Sequence, residues 1–311
     1  MKPPIFIIGC GRSGTTLLRE LINQCEDIFV LKESAFIPYL YKQRKDYGDF
    51  STAEYRERFI SDLKSFKRTS KDTAIDIFEM NEDQLKEKLE EVAPTNYTGA
   101  LHKLFEATAR NNNAVYWGDK TPLYTSYIPL ISELFPNARI IHLIRDPRDV
   151  SKSIKSAGWS PTIKGAAKIW KKQVSKGLEG RKLDINYYEM KYESLLINPT
   201  KELDKLFDWL GIECEENLVE KYEKRGKGVD QNFKTMHELI GKPIQKSRAY
   251  SWKKNMKIAD IAEVESVAEA EIKKVGYEIT NYEVPLTRKI KSSLIDVAHP
   301  IASKVKRKLV K

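Results

Sequence analysis

Apolar positions follow two rhythms along this chain. Short, mainly apolar runs occur at Pro4–Ile8, Phe29–Leu31, Val115–Trp117, Arg139–Ile144 and Ile185–Met190. Their length and β-branched content suit strands buried in a sheet. Between them, apolar residues recur at three-to-four spacing, which predicts helices over about Gly14–Asn23 and Tyr124–Phe135 and from Asp149 to Ser156. The same spacing predicts helices over Lys201–Leu210, closed by Gly211, and over Ile258–Val275. The stretch Ser51–Asn111 is highly charged yet helix-like, with Asp62, Lys64, Lys67, Glu87, Lys88 and Glu90 among apolar spacers. Within it, Asn81 and Gln84 have the spacing of a capping box. Strands that alternate with helices in this way predict an α/β fold, a doubly wound, mostly parallel sheet with helices on both faces. The charged stretch reads as a helical insertion covering one end of that sheet. Lys224–Asn255 lacks periodicity and is rich in Lys, Arg, Gly and Gln, as a functional surface loop would be. No repeat or break precedes about residue 283, so 1–283 reads as one domain and 284–311 as a tail.

Composition narrows the class. Hydrophobic residues make up 41% and charged residues 32%, as in a soluble globular protein, and no run is long enough for a transmembrane helix. The net charge of +10, 54 basic minus 44 acidic residues, favours a polyanionic partner: nucleic acid, anionic lipid or a phosphorylated cofactor. A generally basic surface explains the same number. Cys10, Cys25 and Cys214 are odd in number and match no metal or disulfide spacing, and the first apolar run is too short for a signal peptide. The expectation is a reducing, cytoplasmic compartment. In the tail, Leu286, Ile290, Leu294, Val297, Ile301, Val305 and Leu309 recur at helical spacing among lysines and arginines, interrupted by Pro300. Such a basic amphipathic helix suits peripheral contact with an anionic membrane; packing on the domain, or a disordered tail, fits the pattern as well.

Two segments carry chemistry. "GCGRSGTT", Gly9–Thr16, follows the first strand and opens the first helix, so backbone N–H groups and the helix dipole converge on one anion. Its glycines have phosphate-loop spacing, but Thr15 stands where a triphosphatase carries lysine, and Arg12 is the only nearby cation. "HLIRDPRDVSKS", His142–Ser153, places Arg145 at the carboxyl end of a strand, in the crevice where parallel sheets bind ligands. Asp146 could be read as a Mg²⁺-holding acid, the basis of an alternative as a nucleotide kinase. Arg145 in that position favours instead a second phosphate bound directly, without metal.

Together these residues resemble the family of sulfotransferases that use 3′-phosphoadenosine 5′-phosphosulfate (PAPS), closest to its tyrosylprotein and bacterial "RSGTT" branch. The likeness runs from about Pro4 to Tyr277. It implies a P-loop-type fold in which Gly11, Arg12, Ser13, Gly14, Thr15 and Thr16 hold the phosphosulfate, while Arg145 and Ser153 hold the 3′-phosphate. "KYESLLINPTKELDKLFDWLGI" is similar to a family segment whose tyrosine, here Tyr192, lies near the adenine. "GKPIQKSRAYSW" looks like the loop that closes over PAPS, which adds Gln245 and Lys254 as weaker candidates. "KESAFIP" resembles the segment with the tyrosylprotein enzymes' catalytic glutamate, which maps to Glu33, although Ala35 replaces their arginine. Lys120 of "GDKTP" is implied to contact the sulfuryl group beside Arg12.

The expected activity is sulfuryl transfer from PAPS to a hydroxyl (glycan, lipid-linked sugar, peptide or small alcohol), with no metal and no nucleic acid. Glu33 would be the base and Arg12 and Lys120 the stabilisers of the leaving group. His102 and His237 stay open as alternative bases, and His142 reads as packed within its strand. Trp117 and Trp252 could stack on a base but fit the core better. A non-catalytic protein binding nucleic acid or membrane is the alternative of another class.

Overall fold

The computed structural model describes residues 2–68, 72–225 and 242–285. The tail residues 286–311 and His237 therefore lie outside the described residues. Strands β1 (Ile5–Gly9), β2 (Ile28–Leu31), β3 (Tyr116–Lys120), β4 (Arg139–Ile144) and β5 (Asn186–Lys191) form one parallel sheet in the order β2-β3-β1-β4-β5. The central place falls to β1 because its residues are apolar towards both faces. Ile5 and Ile7 join a core with Leu18, Leu21, Leu195 and Leu206, whereas Phe6 and Ile8 join one with Leu31, Phe36, Phe105 and Trp117. That alternation is the two-residue period of a strand, with both sides buried.

The charged stretch forms helices Ala53–Ser65, Glu82–Val92 and Tyr97–Asn111. The expected capping box is present: Asn81 Oδ1 accepts from the Gln84 amide, and Gln84 Oε1 accepts from the Asn81 amide, each at 2.9 Å. Its place on the sheet is the expected end, the β2–β3 side. The apolar stripe of these helices (Phe59, Leu63, Leu85, Leu89, Leu104, Phe105) packs in one core with Phe6 and Trp117, and Phe105 stacks on Trp117 with 4.7 Å between centroids. Of the insertion, the Tyr97–Asn111 helix packs on β2 and β3, at one end of the sheet, while His142 of β4 meets Gly177 of the Ile163–Leu178 helix. The stripe must be buried for the helices to form at all.

The cysteines also depart from expectation. Cys25, just after the Thr15–Ile22 helix, is joined by a disulfide to Cys214, just after the Pro199–Leu210 helix, with 5.6 Å between Cα atoms. A sequence separation of 189 gives no local signal, but the parallel topology lays both helices on the same face of the sheet. The pairing removes the cysteines as grounds for a reducing compartment. Cys10 remains a buried free thiol, pushed up to about 12 by burial and so protonated and unreactive. Among the described residues no helix is long and apolar enough to cross a membrane.

Thiol titration of the unfolded, non-reduced protein should accordingly count one reactive sulfhydryl rather than three. Reduction or Cys214→Ser should lower stability by about 2–4 kcal/mol in a denaturant melt. Three reactive thiols before reduction would refute the pairing.

Candidate active site

The phosphate-loop candidate runs from the end of β1 to the helix Thr15–Ile22. The Ser13 amide donates to the Cys10 carbonyl at 3.1 Å and closes the turn. Gly14 has φ 92, and a Cβ there would overlap the Tyr192 ring. Arg12 also sits in the left-handed region, at φ 74, which costs a side-chain-bearing residue about 1–2 kcal/mol. Its guanidinium reaches the helix Pro147–Ser156 that follows β4, where Nε donates to Ser153 Oγ at 3.0 Å. Arg145, beyond β4, donates from Nη1 to the Arg12 carbonyl at 3.1 Å and lies over the Tyr192 ring at 4.5 Å. Arg12, Arg145 and Ser153 thus come together from two strand ends.

This cluster carries two guanidiniums side by side. Burial, then the charges of Arg145 and Arg248, lower the pKa of Arg12. Like-charged guanidiniums held this close, with Asp149 3.9 Å from Arg145, are a favourable setting for an anion. Ser13 is fully buried, and among the described residues its Oγ and the Nε of Arg145 have no hydrogen-bond partner. Two buried, unsatisfied donors beside a loop of backbone amides fit a phosphate-bearing ligand. The half-exposed Trp159 covers Gly11 and comes within 6.0 Å of Arg12.

On the other side of β1, Lys120 at the end of β3 is buried, and its Nζ contacts Glu33 Oε1 at 2.5 Å. Burial lowers the Lys120 pKa, and the charge of Glu33 acts against that shift. Glu33 keeps 47% of its side chain exposed, so the acid of this pair faces solvent while the base of Lys120 is enclosed. A solvent-facing carboxylate can meet an acceptor; an enclosed ammonium can meet only what enters the site.

The remaining candidates divide. Thr15 is buried and Thr16 half-buried in the first turn of the loop helix. Tyr192 is buried between Gly14 and Arg145. Gln245 and Lys254 are exposed, and the cation that their segment brings to the cluster is Arg248. Arg248 was missed although its segment had been singled out as basic and aperiodic; nothing local distinguishes it from the lysines around it. His102 accepts from Trp117 Nε1 at 3.0 Å, and burial lowers its pKa. His142 is fully buried against Tyr187 and depressed to about 4 by burial, which makes it a neutral core residue. Both tryptophans discussed above are buried.

Asp146 is fully buried at the start of the Pro147–Ser156 helix. It accepts from Arg148 Nε at 2.8 Å and Nη2 at 2.6 Å, and from Trp252 Nε1 at 3.0 Å. Its oxygens are therefore spent on protein donors, which removes the reading of Asp146 as an Mg²⁺-holding acid. Arg148 reaches on to Glu265, and the Asp146 amide donates to Glu193, which in turn accepts from Tyr277. Burial alone would lower the Arg148 pKa, but hydrogen bonding to Asp146 and the nearby acids raise it.

Comparison with known proteins gives a consistent picture. The model of the Sulfotransferase family matches residues 3–216. The omega-hydroxy-beta-dihydromenaquinone-9 sulfotransferase Stf3 of Mycobacterium tuberculosis is 28% identical over 249 residues, 68% of this chain. This chain spans 63% of that relative's length. Protein-tyrosine sulfotransferase A of Caenorhabditis elegans is 22% identical over 89% of this chain and 68% of its own. Among solved structures, the sulfotransferase domain of the curacin biosynthetic pathway superposes with a TM-score of 0.58 at 21% identity. That superposition covers 90% of this chain and 99% of the other. The sulfotransferase domain of the Synechococcus PCC 7002 olefin synthase gives 0.55 at 21% identity, over 87% and 95%. These two establish the fold.

The loop geometry can be tested by paired substitutions. Gly14→Ala and Gly158→Ala both place a side chain at positive φ, but only the former meets another group, since nothing lies within 4 Å of a Cβ at Gly158. Gly158→Ala should cost about 1 kcal/mol and Gly14→Ala clearly more, because a ring must also move. Equal melting temperatures for the two variants would contradict the packing of Tyr192 on the loop.

Proposed function

The chain belongs to the sulfotransferase family, and on that premise we propose that it transfers a sulfuryl group from PAPS to a hydroxyl acceptor, with Glu33 as general base. The observation that carries the reading is the convergence on one sheet edge of an acid–lysine pair, Glu33–Lys120, and a guanidinium cluster, Arg12–Arg145–Ser153. In this reading residues 1–283 form the transferase domain and 284–311 a separate basic tail, suited to peripheral contact with an anionic membrane. The mycobacterial relative is named for a hydroxylated menaquinone and the nematode one for protein tyrosine, and we take a hydroxyl acceptor here as well.

The donor supplies an activated sulfur and a bisphosphate leaving group. Backbone amides of the loop, with Ser13, Thr15 and Thr16, would hold its 5′-phosphosulfate. Arg145, Ser153 and Arg248 would hold the 3′-phosphate, a planar guanidinium suiting two phosphate oxygens at once. Glu33 would take the proton of the attacking hydroxyl. Arg12 and Lys120 would offset the charge that grows on the bridging oxygen as the bond to sulfur breaks. Because Lys120 holds Glu33 in the unliganded protein, an anionic donor competing for Lys120 would free the carboxylate to act as base. The donor would therefore bind before the acceptor proton is removed.

Calorimetry with adenosine 3′,5′-bisphosphate against ATP should show tight binding of the former without Mg²⁺. Arg145→Ala should weaken the bisphosphate roughly ten- to hundredfold, the worth of a charged hydrogen bond. Unchanged affinity, or a preference for Mg²⁺–ATP, would overturn the donor assignment. Separately, Glu33→Gln should lower transfer to a phenolic probe, 4-methylumbelliferone, by about 10²–10⁴-fold with bisphosphate affinity intact. Wild-type turnover in that variant would remove Glu33 as base.

A further inference from the structure

We infer that Asp119 is a positioning residue for the reaction, holding the segment that bears Glu33 by accepting the Ser34 amide while Lys120 holds the Glu33 carboxylate. The inference rests on the reading of Glu33 as base. Asp119 and Lys120 are consecutive in β3, so their side chains leave opposite faces of the sheet. One grips the backbone just after Glu33 and the other grips its side chain. Ser34 N–H is shared between Asp119 Oδ2 at 3.2 Å and Thr121 Oγ1 at 3.0 Å. Both acceptors come from the stretch "GDKTP".

Further hydrogen bonds hold the segment as well. Arg68 Nε donates to the Glu33 carbonyl at 2.5 Å, and the Ser34 and Tyr124 hydroxyls bond at 2.6 Å. Tyr124 Oη accepts from the Ile37 amide at 3.3 Å, and Tyr97 donates to the Ile37 carbonyl at 2.9 Å. Such over-determination has a reason: Ala35 is left-handed, at φ 56, without being glycine. A backbone of that kind persists only where its surroundings enforce it, and such enforcement recurs at reacting sites. The turn at Ala35 follows directly on Glu33 and Ser34.

Asp119 is the costliest member of this set. It is fully buried, its Oδ1 has no hydrogen-bond partner among the described residues, and burial raises its carboxyl to about 6 despite hydrogen bonds with Thr121 and Ser34. An apolar residue of similar size would serve packing alone at less cost, since a half-satisfied buried carboxylate is unfavourable. What the carboxylate adds is an acceptor for one amide, beside the residue whose placement the chemistry needs.

The test combines amide exchange with a mutant cycle. In Asp119→Ala the Ser34 amide should exchange at least about tenfold faster, while adenosine 3′,5′-bisphosphate binding stays unchanged. Turnover of 4-methylumbelliferone with PAPS should fall by about 10²-fold in kcat with little change in KM, the effect of a misplaced catalytic group. Asp119→Asn, which keeps an oxygen acceptor, should restore most of both. In a Glu33→Gln background Asp119→Ala should cost nothing more, because its effect passes through Glu33. Unchanged Ser34 exchange, or the full kcat loss repeated in the Glu33→Gln background, would overturn the inference. Full activity in Glu33→Gln would instead sink the base reading, and Ser34 exchange would still decide whether Asp119 holds the segment. If Asp119→Ala does not fold, Asp119→Ser, too short to reach Ser34, is read in the same way.

Discussion

The site depends on one buried carboxylate that never touches it. Asp146 lies at the end of β4, without exposure to solvent, and its oxygens there are satisfied by Arg148 and Trp252. Removing one partner from a buried pair of this kind costs about 3–5 kcal/mol, whereas its net contribution to stability is small. Its value is geometric. Through Arg148 and Glu193 it ties the end of β4 to the end of β5, to the segment around Trp252 and to the Ile258–Lys274 helix. Arg145, Tyr192 and Arg248 sit on those tied segments. Three chain stretches distant in sequence are thereby kept in register around one guanidinium cluster, although residues beyond 216 lie outside the family match.

The sheet order completes the arrangement. With β1 central, its loop lies between the ends of β3 and β4, so Lys120 and Arg145 flank it from opposite sides. A parallel sheet delivers every strand's carboxyl end to the same edge, and ligands bind where connections diverge. The distribution of charge follows. Cations collect around the loop, where burial and mutual repulsion make them unfavourable in the free protein. That cost is recovered when an anion arrives, and it would select for a ligand carrying two separated anionic groups rather than one.

Much of this was legible in the chain. The strands and the capping box could be read because period and capping chemistry are local. The resemblance placed Arg12 in the loop and Arg145 with Ser153, and the structure adds the contacts that join the two groups. Three features could not be read, each for a reason of range. Cys25 and Cys214 are 189 positions apart, and only the common face of the sheet joins them. Arg248 resembles its lysine neighbours until a 3₁₀ turn aims it. Asp119 carries no signal in the chain, since its partner, the Ser34 amide, is a backbone group that no side-chain pattern reveals.

The Cys25–Cys214 link has a consequence for the integrity of the chain. It closes a covalent ring that contains β2 to β5 and all three insertion helices, while β1 and the Arg248 segment lie on its two tails. A single cut at any peptide bond inside the ring opens it without releasing a fragment. The halves that carry Arg12 and Arg145 would stay tethered at high effective concentration, so the protein can tolerate a nick in its insertion that a chain without the link would experience as division into two molecules.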